Sequence, residues 1–88
     1  MNKQRRREIK AVMAQIEALQ ALQEEIKERL SDIMEEEQEA LENLPESLQE
    51  SERGQQMQEY IDALEDVIDT LSELDPEDLI ATLEEIAP

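Results

Sequence analysis

Residues 9–44 read IKAVMAQIEALQALQEEIKERLSDIMEEEQEALENL, and this stretch decides the fold. It contains no Gly or Pro. Its apolar residues fall into two files seven residues apart. One file is Val12, Leu19, Ile26, Ile33 and Ala40. The other is Ile9, Ile16, Gln23, Leu30, Glu37 and Leu44. They occupy the d and a positions of a heptad repeat, the pattern of a helix that packs along its length against other helices. Met13, Leu22, Met34 and Leu41 widen the stripe. The spacing predicts one helix over residues 2–42, about 60 Å long at about 1.5 Å per residue. A helix of that length cannot bury its stripe against itself, so it needs an equally long partner surface.

The next break is Asn43-Leu44-Pro45-Glu46-Ser47-Leu48-Gln49-Glu50-Ser51-Glu52-Arg53-Gly54. Pro45 disfavours helix at Leu44 and cannot continue the first helix. Gly54 is the single glycine of the chain, and Ser51 is a candidate N-cap for a second helix. Residues 45–49 have room for one helical turn packed by Leu48. The second helix is expected over 55–74, with a start as early as Glu52. Met57, Tyr60, Ile61, Leu64, Val67, Ile68, Leu71 and Leu74 give it one stripe at spacings of three and four. Asp75-Pro76-Glu77-Asp78 then spells a helix start, with an acidic N-cap, proline in the first helical position and acids in the first turn. A third helix over 76–87 would turn Leu79, Ile80, Leu83 and Ile86 inward.

The fold expected is therefore all-α and of one domain: a long N-terminal helix, a Pro-containing turn over 43–54, a second helix and a short third one. Chain reversal at the turn would make an antiparallel helical hairpin. Two hairpins would pair into a dimeric, coiled-coil-like bundle, a monomeric three-helix arrangement being the alternative. The seam would be Ile16, Leu19, Ile26, Leu30 and Ile33 with Ile61, Leu64, Ile68 and Leu71. With no Cys, no Trp or Phe and only Tyr60 as an aromatic, the core must be thin and aliphatic, which makes oligomerisation an attractive support for so short a chain. Gln23 and Glu37 interrupt the a file. Either the seam is wet there, or a polar core residue sets the register.

The charge is as uneven as the apolar pattern is regular. Residues 1–30 carry seven Lys/Arg and five Glu, while residues 31–88 carry Arg53 and 20 Asp/Glu, giving the chain a net charge of −17. Glu59, Asp62, Asp66, Asp69 and Glu73 recur at three and four along the second helix, and Glu35, Glu36 and Glu39 stand on the first. A solvated face is the ordinary reading of such residues, but ordinary solubility needs mixed signs and a smaller net charge. A partner with a basic surface is the specific alternative, and a row of carboxylates mimicking a phosphate track is its sharpest form. The basic N-terminus, with Arg5, Arg6, Arg7 and Lys10, sits where cations oppose the helix dipole. Pairing with Asp75, Glu77, Asp78, Glu84 and Glu85 in the hairpin is favoured over contact with nucleic acid, because the rest of the chain repels phosphates.

The sequence offers no catalytic residues: it lacks Cys and His, has no Gly-rich phosphate loop, and gives none of its four serines an evident base. No metal is expected, because there is no calcium-loop pattern and no Glu-x-x-His. No cofactor is implied. No apolar run reaches membrane-span length. The lack of Cys and of a signal pattern suits the cytoplasm.

Two stretches carry a resemblance: Arg5-Arg6-Arg7-Glu8-Ile9-Lys10 and, more specifically, Asn43-Leu44-Pro45-Glu46-Ser47 with Ser51-Glu52-Arg53. Together they resemble small acidic helical proteins of bacteriophages and prophages. The flanking Glu-rich helices are low in complexity and add little. The resemblance implies a phage context, a bacterial host cytoplasm and action by binding and blocking host proteins such as defence nucleases. It implies no catalytic residues.

Overall fold

The computed structural model describes all 88 residues, Met1–Pro88, and its regular elements are α-helices: α1 (Lys3–Glu42), α2 (Glu46–Gln49), α3 (Glu52–Glu73) and α4 (Pro76–Ile86). No helix is long and apolar enough to cross a membrane. The chain forms two compact units. One comprises Met1–Glu25 with Leu74–Pro88, and the other is Ile26–Glu73.

In the first unit, Asn2 caps α1. Its Oδ1 accepts from the Arg5 amide at 2.8 Å, and its carbonyl accepts from the Arg6 amide at 3.2 Å. The side chain thereby satisfies one of the donors that every helix start leaves open, and the carbonyl takes the first intrahelical bond. Pro76 opens α4, its missing N–H costing nothing there, and Asp75 accepts from the Asp78 amide at 3.2 Å. The side chains that hold this unit are Ile9, Met13 and Ile16 of α1 with Ile80 and Leu83 of α4, all half-buried, and Ala87, which is buried.

Gln23 is the most deeply placed polar side chain of the chain, at 5% exposed. Its Nε2 donates to the carbonyl of Leu74 at 2.9 Å, just beyond the end of α3. Burial of an amide is tolerated only when its polar atoms are paired, and no buried side-chain nitrogen or oxygen of the chain lacks a partner. One turn away, Gln20 Nε2 donates to Glu77 Oε1 at 2.9 Å. The polar residue in the a file is thus a buried clamp on the corner before α4, which the wet-seam reading of that position does not describe. Glu37, by contrast, is half-exposed.

In the second unit, the expected turn over 43–54 is mostly helical. α2 fills its middle, and α3 begins at Glu52. Leu48 is exposed and does not pack the short turn. Gln49 ties the corner instead, its Nε2 donating to the carbonyls of Leu44 at 2.8 Å and Glu42 at 3.3 Å. Ser51 caps α3: its carbonyl accepts from the Gln55 amide at 3.0 Å, its Oγ accepts from the Gly54 amide at 3.4 Å, and its hydroxyl donates to the Leu48 carbonyl. Gly54 lies inside α3 and is buried. A Cβ added there would sit 2.0 Å from the Gln49 carbonyl oxygen and 2.7 Å from that of Leu48. Backbone meets backbone, so no side-chain movement relieves the clash.

The predicted stripe of α3 divides in two. Met57 and Ile61 are buried and Leu64, Ile68 and Leu71 half-buried, but Tyr60, Val67 and Leu74 stand exposed. A 3.6-residue period turns the file Tyr60, Val67, Leu74 about a quarter turn away from the inward face. α1 divides in the same way. Ile9, Ile16 and Leu30 are half-buried, while Val12, Leu19, Ile26 and Ile33 of the d file are exposed.

Two substitutions probe these corners. Helix propensity alone makes Gly54→Ala stabilising by about 1 kcal/mol, whereas the backbone clash makes it destabilising by about 2 kcal/mol or more. Thermal unfolding followed by circular dichroism therefore gives opposite signs, and a raised Tm would refute the close approach of α2. Gln23→Glu keeps the shape but replaces the donor with a carboxylate aimed at a carbonyl. It should cost about 2 kcal/mol at neutral pH, or roughly 8–16 °C in Tm. The loss should shrink in acid, where a protonated carboxyl can donate again. A variant that melts like the parent at pH 7 would rule out the clamp.

Candidate functional site

The acidic ladder is the most coherent chemical feature of the surface. Glu59, Asp62, Asp66, Asp69 and Glu73 are all exposed on α3. At about 100° per residue they centre on the face opposite Met57, Ile61, Leu64, Ile68 and Leu71. The helix that buries the apolar file therefore carries the carboxylates to solvent. The ladder runs about 21 Å along the axis, with steps of about 5 Å. Within the helix, Gln58 Nε2 donates to Asp62 Oδ1 at 3.0 Å. Thr70 Oγ1 reaches the Asp66 carbonyl at 3.0 Å and leaves that carboxylate to solvent.

No basic residue is interleaved with these acids along the helix. Arg53 is the last basic residue of the chain, so α3 after its first turn lacks the oppositely charged neighbours at i+3 or i+4 that ordinarily offset such a face. Glu35, Glu36 and Glu39 are exposed on α1. The carboxylates do not converge on a cation site either: no group of three or more is arranged to hold a metal ion. What the geometry offers is a one-dimensional row of negative charge on a stiff helix.

The basic N-terminus is differently placed from its sequence expectation. Arg5, Arg6, Arg7 and Lys10 are exposed. Lys10 lines an open recess with Met13, Ala81, Glu84 and Glu85, so part of the expected acidic neighbourhood is present. Asp75, Glu77 and Asp78 are not part of it. Glu77 meets Gln20, thirteen residues beyond Arg7 in sequence, or about 20 Å along the helix. Asp75 is engaged by the Asp78 amide. Gln23 on the Leu74 carbonyl holds the start of α4 at the middle of α1, which explains the difference.

The expected seam is likewise distributed. Ile16, Leu30, Ile61, Leu64, Ile68 and Leu71 are buried or half-buried within the chain, whereas Leu19, Ile26 and Ile33 face outward. Gln20, Gln23 and Gln49 carry tertiary hydrogen bonds that sequence reasoning missed. The only available signal was the interruption of the apolar file at Gln23. No protein-family model, curated protein or solved structure matches the chain.

Proposed function

We propose that this chain is a non-enzymatic interaction protein of phage type that binds a basic surface on a host protein and blocks it. The acidic ladder of α3 is the contact. The observation that carries this reading is the row Glu59, Asp62, Asp66, Asp69 and Glu73: exposed, directed away from the apolar face and on a helix with no basic residue after Arg53. A row of like charges of this kind costs folding stability through self-repulsion, and a basic partner relieves it. A protein that binds nucleic acid is the concrete target, because its groove is shaped for a linear track of negative charge. The carboxylate steps of about 5 Å are coarser than the roughly 3.4 Å of phosphates along one strand. The mimicry is therefore of charge and direction rather than of atomic spacing. Arg5–Arg7 as a nucleic-acid contact ranks behind, since a net charge of −17 repels the phosphate backbone.

A second reading is an assembly module, a dimer of antiparallel helical hairpins working through apolar side chains. One observation favours it: Leu19, Ile26 and Ile33 remain exposed on α1 although they belong to the heptad pattern. The hydrogen bonds of Gln23 to Leu74 and Gln20 to Glu77 support the hairpin.

The acidic-surface reading is tested by affinity capture from a bacterial host lysate at about 50 and 300 mM salt, a range over which contacts between exposed charges are increasingly screened. The parent should retain a nucleic-acid-binding protein at the lower salt and release it at the higher. Joint reversal of Asp62→Lys, Asp66→Lys and Asp69→Lys should weaken that capture by about tenfold or more through lost complementarity. Helix content should hold, since all three side chains are exposed. Capture unaffected by the reversal would overturn the reading.

A further inference from the structure

The exposed apolar residues of α1 are not scattered. Val12, Leu19, Ile26 and Ile33 are 45%, 43%, 38% and 50% exposed, stand seven residues apart, and are joined by Leu22 at 51%. A monomeric protein leaves single apolar side chains outside without consequence, but a strict heptad file on one helix is the pattern of a helix–helix seam. The file inside the chain is a different one, made by Ile9, Ile16, Gln23 and Leu30 with Met13 and Met34. α1 therefore carries more apolar pattern than its own chain covers.

Only Met57, Ile61 and Ala87 among the hydrophobic residues are buried.

We propose that this file is where a second copy of the chain docks, α1 against α1 and antiparallel, about a twofold axis beside Leu22. The inference rests on the assembly reading and is independent of the acidic-surface one. The register follows from the file itself, whose midpoint lies between Leu22 and Gln23. Val12 then lies level with the second copy's Ile33, and Leu19 with its Ile26, as a twofold, self-complementary interface requires.

Charge selects the antiparallel direction. Arg5 begins the same file and Ala40 ends it, with Glu36 and Glu39 on the flank. Antiparallel pairing sets Arg5 level with Ala40 of the other copy, within a turn of its Glu36 and Glu39. It also brings the basic start of each α1, Lys3 to Lys10, beside the Glu-rich end of the other, Glu35 to Glu42. Parallel pairing would set basic end on basic end and acidic end on acidic end, and like charges brought together oppose association. The basic N-terminus thereby gains a partner that its own chain supplies only in part, and Glu36 and Glu39 are assigned to the second copy rather than to a host protein. The α3 ladder stays free.

The chain has no cysteine, so introduced thiols report the register directly. Leu22→Cys lies beside the axis and should form a covalent dimer under mild oxidation. Val12→Cys alone should not, because its two copies are about 30 Å apart along the helix, far beyond disulfide reach. Val12→Cys mixed with Ile33→Cys should cross-link. The parent protein should sediment at twice its 10.2 kDa chain mass. Leu19→Glu with Ile26→Glu should weaken association by about a hundredfold or more, with circular dichroism recording whether the helices persist. Self-cross-linking of Val12→Cys, or a dimer in which Leu22→Cys stays reduced, would overturn this face and register while leaving the assembly reading standing. A parent that sediments as a monomer at about 100 µM would overturn both, with no bearing on the acidic ladder.

Discussion

One buried hydrogen bond organises the first unit: the Gln23 amide on the carbonyl of Leu74. An aliphatic chain with so few buried hydrophobic side chains has little packing to define where one helix lies along another. A buried amide defines it sharply, because any slip leaves a donor or an acceptor without a partner in a place water does not reach. The start of α4 is thereby set against Gln20 and Gln23 rather than against the arginines of the N-terminus. That choice decides which charges meet. Glu77 receives an amide, Lys10 shares a recess with Glu84 and Glu85, and Arg5–Arg7 remain at the surface.

The second unit uses a different constraint to the same end. Gly54 admits the backbone of α2 where any side chain would collide with Gln49 and Leu48, and Gln49 closes the corner on the last carbonyls of α1 and its successor. Both corners are built from backbone carbonyls and glutamine amides. With no aromatic core to impose orientation, directional bonds take over that task.

Once these corners are fixed, the apolar residues sort themselves. Each long helix has one file inward and a second, also spaced by seven, at its flank: Val12, Leu19, Ile26 and Ile33 on α1, and Tyr60 and Val67 on α3, with Leu74 just beyond its end. The flanking files follow from helix geometry, because a stripe wide enough to serve two neighbours cannot be covered by one. The carboxylates of α3 occupy the remaining face. A single helix thus separates three environments, with inward apolar contacts, an exposed apolar edge and an acidic ridge, and the proposed partners are of correspondingly different kinds.

Much of this was legible in residues alone. The heptads of residues 9–44, free of Gly and Pro, sufficed for a long helix, Asp75-Pro76 for the start of α4, and the three-four spacing of Glu59 to Glu73 for an acidic face, because periodicity and capping are local properties of the chain. The α2 turn was legible, but its packing was not, since Leu48 and Gln49 have equal claim to the corner until the backbone path is known. Nor could spacing tell which half of a two-file stripe turns inward, whether Gln23 is wet or buried, or that Gly54 belongs inside a helix. The burial of Gln23 depends on which carbonyl its amide meets across 51 residues of chain, and the place of Gly54 on how closely the backbone of α2 approaches it, and only the folded structure brings such groups together. Local pattern determined the helices and the sign of their surfaces, while long-range hydrogen bonding decided their register and, through it, which residues are left facing outward.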